Sequence, residues 1–266
     1  MRSLSIFVRA LALALALTAA ACGTTDSEPY DDTRGWSAER IYNEAKSELL
    51  AGSYKKAAEL YQKLEARYPY GKYAQQAQVE LAYTYYKDNE TVLALAEVER
   101  FIKLYPDHSN LDYALYLKGL INFNEDLGIF GGLANQDMSE RDPKAAVESF
   151  EAFRELVERY PESRYAPDAF QRMRYLVNAL AINEVRVAHY YLRRKAYVAA
   201  VNRAQSVLLN YQQTTAVEPA LVILVKAYDG LGLADLRDDA QRLLALNYPD
   251  STKQVAARDR RWWQVW

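Results

Sequence analysis

Residues 52–71 read Gly52-Ser-Tyr-Lys-Lys-Ala-Ala-Glu-Leu-Tyr-Gln-Lys-Leu-Glu-Ala-Arg-Tyr-Pro-Tyr-Gly71, and they contain one helix with both of its punctuation marks. Gly52 closes the helix before it. Tyr54, Ala57, Ala58, Tyr61 and Leu64 recur at helical spacing, and Pro69 stops the run, because an interior proline costs about 3 kcal/mol. The same stop returns as Tyr105-Pro106, Tyr160-Pro161, Tyr211-Gln212 and Tyr248-Pro249. Tyr68 to Tyr105 and Tyr211 to Tyr248 are each 37 residues, while the two middle intervals are 55 and 51, longer by 18 and 14. Residues 125–142 number 18, hold Gly128, Gly131 and Gly132, and lie just ahead of Pro143, so they read as an inserted loop. The other excess, 14, is close to four helical turns and lengthens a helix with little rotation of the face that follows. Residues 166–194, free of glycine and of proline beyond Pro167, read as that long helix.

Small residues recur 12 apart as Ala45 and Ala57, Ala82 and Ala94, Ala188 and Ala200 and, once the inserted loop is removed, Gly119 and Ser149. Two helices of a hairpin cross most closely where both side chains are small. The fifth unit departs, with Val225 and Arg237 in those places, as a terminal repeat is free to do. A large apolar residue stands four before each stop tyrosine: Leu64, Phe101, Leu156, Val207 and Leu244. The pattern resembles the tetratricopeptide repeat, whose first-helix aromatic is matched by Tyr85, Tyr191 and Tyr228 but not by Glu48 or Asn122. The expected fold is all-α, a superhelical solenoid of five tetratricopeptide-like hairpins with about ten helices, over residues 36–252.

Residues 1–21 carry Arg2 and Arg9, an apolar run and Ala19, Ala20 and Ala21, which together read as a secretory signal. Cys22 follows as the only cysteine, so no intramolecular disulfide is available. Its setting resembles a bacterial lipobox, with Ala19 where leucine is usual; ordinary signal cleavage beside an incidental thiol is the other reading. Were Cys22 lipidated, with diacylglycerol and a fatty acid, residues 22–35 would be a polar tether, and Gly23 in place of aspartate would imply the outer membrane. Removing 21 residues takes the net charge from -2 to -4. With no basic footprint on the chain, nucleic acid is not an expected partner.

In a right-handed stack, first helices line a concave surface suited to an extended peptide. Tyr83, Tyr85, Tyr86, Tyr113 and Tyr116 are candidates for it, against the plainer reading that tyrosines at helical spacing are core. No catalytic or metal arrangement emerges. His108 and His189 lie 81 residues apart, and there is no nucleophile elbow, phosphate loop or dinucleotide glycine pattern. No enzyme and no cofactor are expected. Residues 253–266 gather Trp262, Trp263 and Trp266 beside Arg258, Arg260 and Arg261. That tail reads either as a helix closing the solenoid or as a contact to a membrane surface or a partner groove.

Four runs carry a more specific likeness: Arg67-Tyr-Pro-Tyr-Gly-Lys-Tyr-Ala-Gln-Gln76, Arg100-Phe-Ile-Lys-Leu-Tyr-Pro106, Asp112-Tyr-Ala-Leu-Tyr-Leu-Lys-Gly-Leu120 and Glu140-Arg-Asp-Pro143. With Val201-Asn-Arg203, they resemble the BamD family, also called ComL or YfiO, the outer-membrane lipoproteins of the β-barrel assembly machinery. The resemblance implies a lipid-anchored scaffold on the periplasmic face of the outer membrane. Its implied partners are the POTRA domains of the barrel assembly protein, other lipoproteins of the complex, and unfolded outer-membrane proteins. It places substrate recognition in the first three repeats, near Tyr68, Tyr70, Gly71, Tyr73 and Gln76 and along Tyr83 and Tyr113. The POTRA contact falls in the last two repeats, where Arg203 is the candidate for an ion pair. Another lipid-anchored envelope protein, of the Tol-Pal coordinating type, is the alternative.

Overall fold

The computed structural model describes residues 32–123 and 143–250; the signal, Cys22, the inserted loop and the tail from 253 lie outside them. Ten α-helices and no strand are found among the described residues. In chain order they are α1 (Ala38–Leu50), α2 (Tyr54–Arg67), α3 (Lys72–Lys87), α4 (Thr91–Leu104), α5 (Leu111–Phe123), α6 (Pro143–Arg159), α7 (Ala166–Arg193), α8 (Tyr197–Asn210), α9 (Val217–Gly230) and α10 (Ala234–Asn247). Each packs against the next, and first helices also touch across units, α1 on α3, α3 on α5 and α7 on α9. That is a stack of five helix hairpins, with helix ends close to those the periodicity predicts.

Two turns alternate along the chain, and both have a local cause. Inside a hairpin, one residue adopts positive φ: Gly52 at 79°, Asn89 at 62°, Lys195 at 60° and Gly232 at 72°. The next residue then donates its backbone N–H to the carbonyl five before it, as Ser53 to Glu48, Glu90 to Tyr85, Ala196 to Tyr191 and Leu233 to Tyr228. This satisfies one of the carbonyls that a helix end leaves open. Between hairpins, each stop tyrosine donates to the large residue four before it, as Tyr68 to Leu64, Tyr105 to Phe101, Tyr160 to Leu156, Tyr211 to Val207 and Tyr248 to Leu244. All five of those large residues are buried.

The small-residue crossings hold in four units. Ala45, Ala57, Ala82, Ala94, Ala188 and Ala200 are fully buried. In the third unit the approach is closer still, since a Cβ on Gly119 would lie 2.3 Å from Cε1 of Phe153, and Ser149 Oγ donates to the Gly119 carbonyl at 2.9 Å. In the fifth, Val225 is half-buried and Arg237 turns outward to Asp229 at 3.0 Å. The buried residues form two cores. One spans α1 to the first half of α7, ending at Leu176, and the other spans Ala181 on α7 to Leu244. The 14 extra residues of α7 are what allow one helix to serve both.

Candidate functional site

The first-helix side of units one to three is built largely from tyrosine, and the repeat register explains where each ring goes. Tyr73 is the second residue of α3, five after Tyr68, and Tyr165 immediately precedes α7, five after Tyr160. Tyr73 packs on Tyr42 of α1 at 5.6 Å, with Lys72 Nζ 4.8 Å from its own ring. Tyr165 stacks on Tyr116 of α5 at 4.8 Å and 19°, and leans on Tyr113 at 5.5 Å. Phe123 continues the row toward Tyr175, at 5.7 Å. These rings join one unit to the next while leaving an edge outside, because Tyr73, Tyr83, Tyr113 and Tyr116 are half-buried.

Charge is sparse here but placed. Glu80 on α3 pairs with Lys46 of α1 at 3.5 Å, and its carboxylate raises the pKa values of Tyr42, Tyr61 and Tyr113 after burial has already raised them. Tyr61 is fully buried, and its hydroxyl has no hydrogen-bond partner. The Tyr116 hydroxyl donates to Asp168 Oδ2 at 2.7 Å, and Arg172 Nε donates to the same oxygen at 2.6 Å. Burial and Asp168 together push the Tyr116 phenol up to about 12. Burial alone would raise the Asp168 carboxyl, but the hydrogen bonds from Arg172 and Tyr116 outweigh it and hold the carboxyl below the ordinary aspartate value.

The corner at 68–76 divides into two kinds of residue. Tyr68 donates its hydroxyl to the Trp36 carbonyl at 2.7 Å, which ties the corner to the start of α1. Tyr70 is 91% exposed, and Gln76 is exposed as well. Gly71 stands at φ 97° with nothing within 4 Å of an added Cβ, so glycine serves the backbone angle there, not a close neighbour. Tyr85 corrects the expectation drawn for it. It is buried, and its hydroxyl accepts from Gln62 of α2 at 2.6 Å, so it locks unit one to unit two and does not present itself on the surface. Tyr228 repeats the arrangement with Gln205 at 2.9 Å, again 23 residues apart.

Arg203 lies on α8 at the rim of the crossing with α7, half-exposed. It is not free in solvent: Nη1 donates to both carboxylate oxygens of Glu184, at 3.1 and 3.2 Å. Sequence reasoning missed Tyr42, Lys46, Glu80, Tyr165 and Asp168 as members of this surface. Tyr165 was recoverable from its register with Tyr73, whereas the ion pairs between helices carry no signal along the chain. Among the described residues no three His, Cys, Asp or Glu side chains gather as a metal-ligand set, and no helix is long and apolar enough to cross a membrane.

Comparison with known proteins bears on this surface and on the whole stack. The family model described as "Outer membrane lipoprotein", YfiO, matches residues 35–243. The outer membrane protein assembly factor BamD of Neisseria meningitidis serogroup A is 48% identical over 259 residues, covering 96% of this chain and 97% of the relative. BamD of Vibrio cholerae is 40% identical over 208 residues, covering 78% and 86%, and that of Haemophilus influenzae is 31% identical over 240 residues, 90% of each chain. A match running through all five hairpins, at these identities and on chains of nearly the same length, makes this chain a member of the YfiO (BamD) family of outer membrane lipoproteins.

Proposed function

We propose that the chain is a non-enzymatic assembly factor for outer-membrane β-barrel proteins, held at the periplasmic face of the outer membrane by lipid on Cys22. In this reading it works by holding partners together. The first-helix surface of units one to three receives extended segments of unfolded outer-membrane proteins. The last two units, with Arg203 at the rim of α8, hold a POTRA domain of the barrel assembly protein, and other lipoproteins of the complex join the same scaffold.

The observation that carries this reading is the row of half-exposed tyrosines running from Tyr73 through Tyr83, Tyr113 and Tyr116, with Tyr70 wholly exposed at its corner. Tyrosine offers a large, stiff contact area with few rotatable bonds, which suits an extended segment rich in aromatic side chains. The family name of the relatives, an assembly factor, supports the same conclusion and favours it over a Tol-Pal type role.

The test is capture from native membranes in mild detergent, comparing the parent chain with Arg203→Glu and Tyr70→Ala. A POTRA-containing barrel protein should dominate the parent eluate and fall away with Arg203→Glu. An unfolded barrel-protein peptide should bind the parent and bind Tyr70→Ala several-fold more weakly. Absence of a barrel protein from every eluate overturns the reading. If it persists in Arg203→Glu, the scaffold role survives and the assignment of Arg203 does not.

A further inference from the structure

The fourth hairpin carries an ion pair where most of the others carry packing. Glu184 stands four residues before Ala188 on α7, and Arg203 stands three after Ala200 on α8. Counted from the same crossing positions, these places hold Ile41 and Leu60 in unit one, Leu115 and Ala152 in unit three, and Leu221 and Ala240 in unit five, all of them buried. Unit two has Gln78, which is buried, and Glu97, whose carboxylate is taken by Arg100 of its own helix. Only unit four sets a cation there. A buried apolar pair contributes packing, whereas a half-exposed ion pair adds little to stability, so the needs of the fold do not explain Glu184 with Arg203.

The pair leaves most of the guanidinium unused. Nη1 alone donates to Glu184, reaching Oε1 at 3.1 Å and Oε2 at 3.2 Å, while Nε and Nη2 donate to nothing among the described residues. The Arg203 side chain is 49% exposed and that of Glu184 20%, so Glu184 is the sunken member. The edge formed by Nε and Nη2 is the one that can meet a second carboxylate with two parallel hydrogen bonds. From Ala169 to Val217 the chain holds seven Arg and Lys but one carboxylate, Glu184 itself. Glu184 acts on an incoming anion in two opposed ways. Its charge offsets part of the attraction of Arg203, and its grip fixes a long side chain that would otherwise lose rotamer freedom on binding. Six further cations in the same stretch supply the attraction, which leaves orientation as the scarcer contribution.

We propose that Glu184 is a positioning residue for the partner contact: by holding Nη1 of Arg203 it sets the Nε and Nη2 edge ready for a carboxylate of the POTRA domain. The inference rests on the role given to Arg203 under the proposed function. It makes unit four the one crossing where packing is replaced by a prearranged cation.

The experiment measures binding of the full chain, in detergent, to an immobilised POTRA segment of the barrel assembly protein. Glu184→Leu restores the apolar character that units one, three and five have at this place, so its urea midpoint should be no lower than the parent's while its affinity falls about three- to tenfold. In an Arg203→Gln background the same substitution should change affinity less than about twofold. Nitrogen-15 relaxation of the free chain gives a readout that needs no partner: the Arg203 Nε–H should be more ordered than that of exposed Arg193 and should lose that order in Glu184→Leu and in Glu184→Gln. Tighter binding by Glu184→Leu would make Glu184 a competitor for Arg203 and overturns the proposal. An equal loss with and without Arg203 would place the effect in the fold and also overturns it, as does an Arg203 side chain already mobile in the parent. A parent chain that binds no POTRA segment removes the proposed function, and the partner role of Glu184 with it, whatever the relaxation shows.

Discussion

Gly119→Ala is the smallest change that tests whether the third hairpin depends on its close crossing. The new Cβ would stand 2.3, 2.5 and 2.7 Å from Cε1, Cδ1 and Cζ of Phe153. Carbon atoms rest about 3.5–4.0 Å apart, so the ring or the whole of α6 must retreat by more than about 1 Å. Phe153 has little room for this, being fully buried with Tyr116 at 5.9 Å and Phe123 at 6.4 Å. Moving α6 also stretches the 2.9 Å hydrogen bond from Ser149 to the Gly119 carbonyl. Overpacking of this kind costs about 1–3 kcal/mol, and a site this confined belongs at the upper end. Alanine returns about 1 kcal/mol of helix propensity, leaving a net loss of about 2 kcal/mol. Urea denaturation followed by circular dichroism reads that loss directly, with Phe153→Leu as the second arm of a double-mutant cycle. Removing the ring should rescue Gly119→Ala, giving a coupling of about 1–3 kcal/mol between the two sites. A Gly119→Ala protein more stable than the parent, or a coupling near zero, would refute the argument that glycine is needed there for space.

Lys195 holds φ 60° where three other hairpin turns place Gly52, Asn89 and Gly232; Lys195→Gly should therefore raise the urea midpoint by the equivalent of about 1 kcal/mol. Asp168 titrates below its ordinary value in the folded chain, so its stabilisation is complete above the unfolded aspartate pKa of about 3.9 and fades as pH falls through the native value. Tyr116→Phe removes one of the hydrogen bonds holding it there, and its stability deficit, followed by urea midpoints from pH 6 to pH 2, should shrink toward the acid end. Arg203→Gln, which removes the pair with Glu184 without setting a second carboxylate beside it, should cost less than about 1 kcal/mol, so any loss of partner capture in that variant reports contact and not unfolding. Two alanines inserted between Leu180 and Ala181 should leave helical content and the separate binding of an unfolded substrate and of a POTRA domain nearly intact, yet abolish passage of captured substrate to the barrel assembly protein, measured as substrate folding in reconstituted proteoliposomes.

The register of the repeat was legible because it is written locally. A proline or glutamine after each stop tyrosine, a large residue four before it, and small residues 12 apart each have a cause within one hairpin, and the hydrogen bonds from Tyr68 to Leu64 and from Tyr105 to Phe101 are that cause made visible. The fate of individual tyrosines was less legible. Tyr83 and Tyr85 are two residues apart on one helix, yet one keeps an exposed edge and the other is buried under Gln62, a distinction set by the neighbouring unit. Arg203 shows the same limit. Its place at the rim followed from Ala200 and Ala204, but Glu184 is 19 residues away, and nothing in the spacing announces the pair.

The division of the core gives α7 a role beyond packing. Its first half belongs with α1 to α6 and its second half with α8 to α10, and the boundary falls between Leu176 and Ala181. A continuous helix of 28 residues, about 42 Å long, resists bending and twisting far more than a loop does, so it fixes the angle between the two cores. The ordinary repeat would have ended this helix 14 residues sooner and left the joint to a turn. Each added residue rotates the second core by about 100° against the first. Asn178, whose Oδ1 accepts from both the N and the Oγ1 of Thr215, pins the joint from the side, at 3.2 and 2.9 Å. On the proposed function, substrate lies on one core and the assembly partner on the other. The length of α7, and not any side chain in either surface, then decides whether the two face each other. A two-residue insertion turns one core by about 200° while leaving the hairpins of both intact, which is why it separates binding from delivery where point substitutions in either surface cannot.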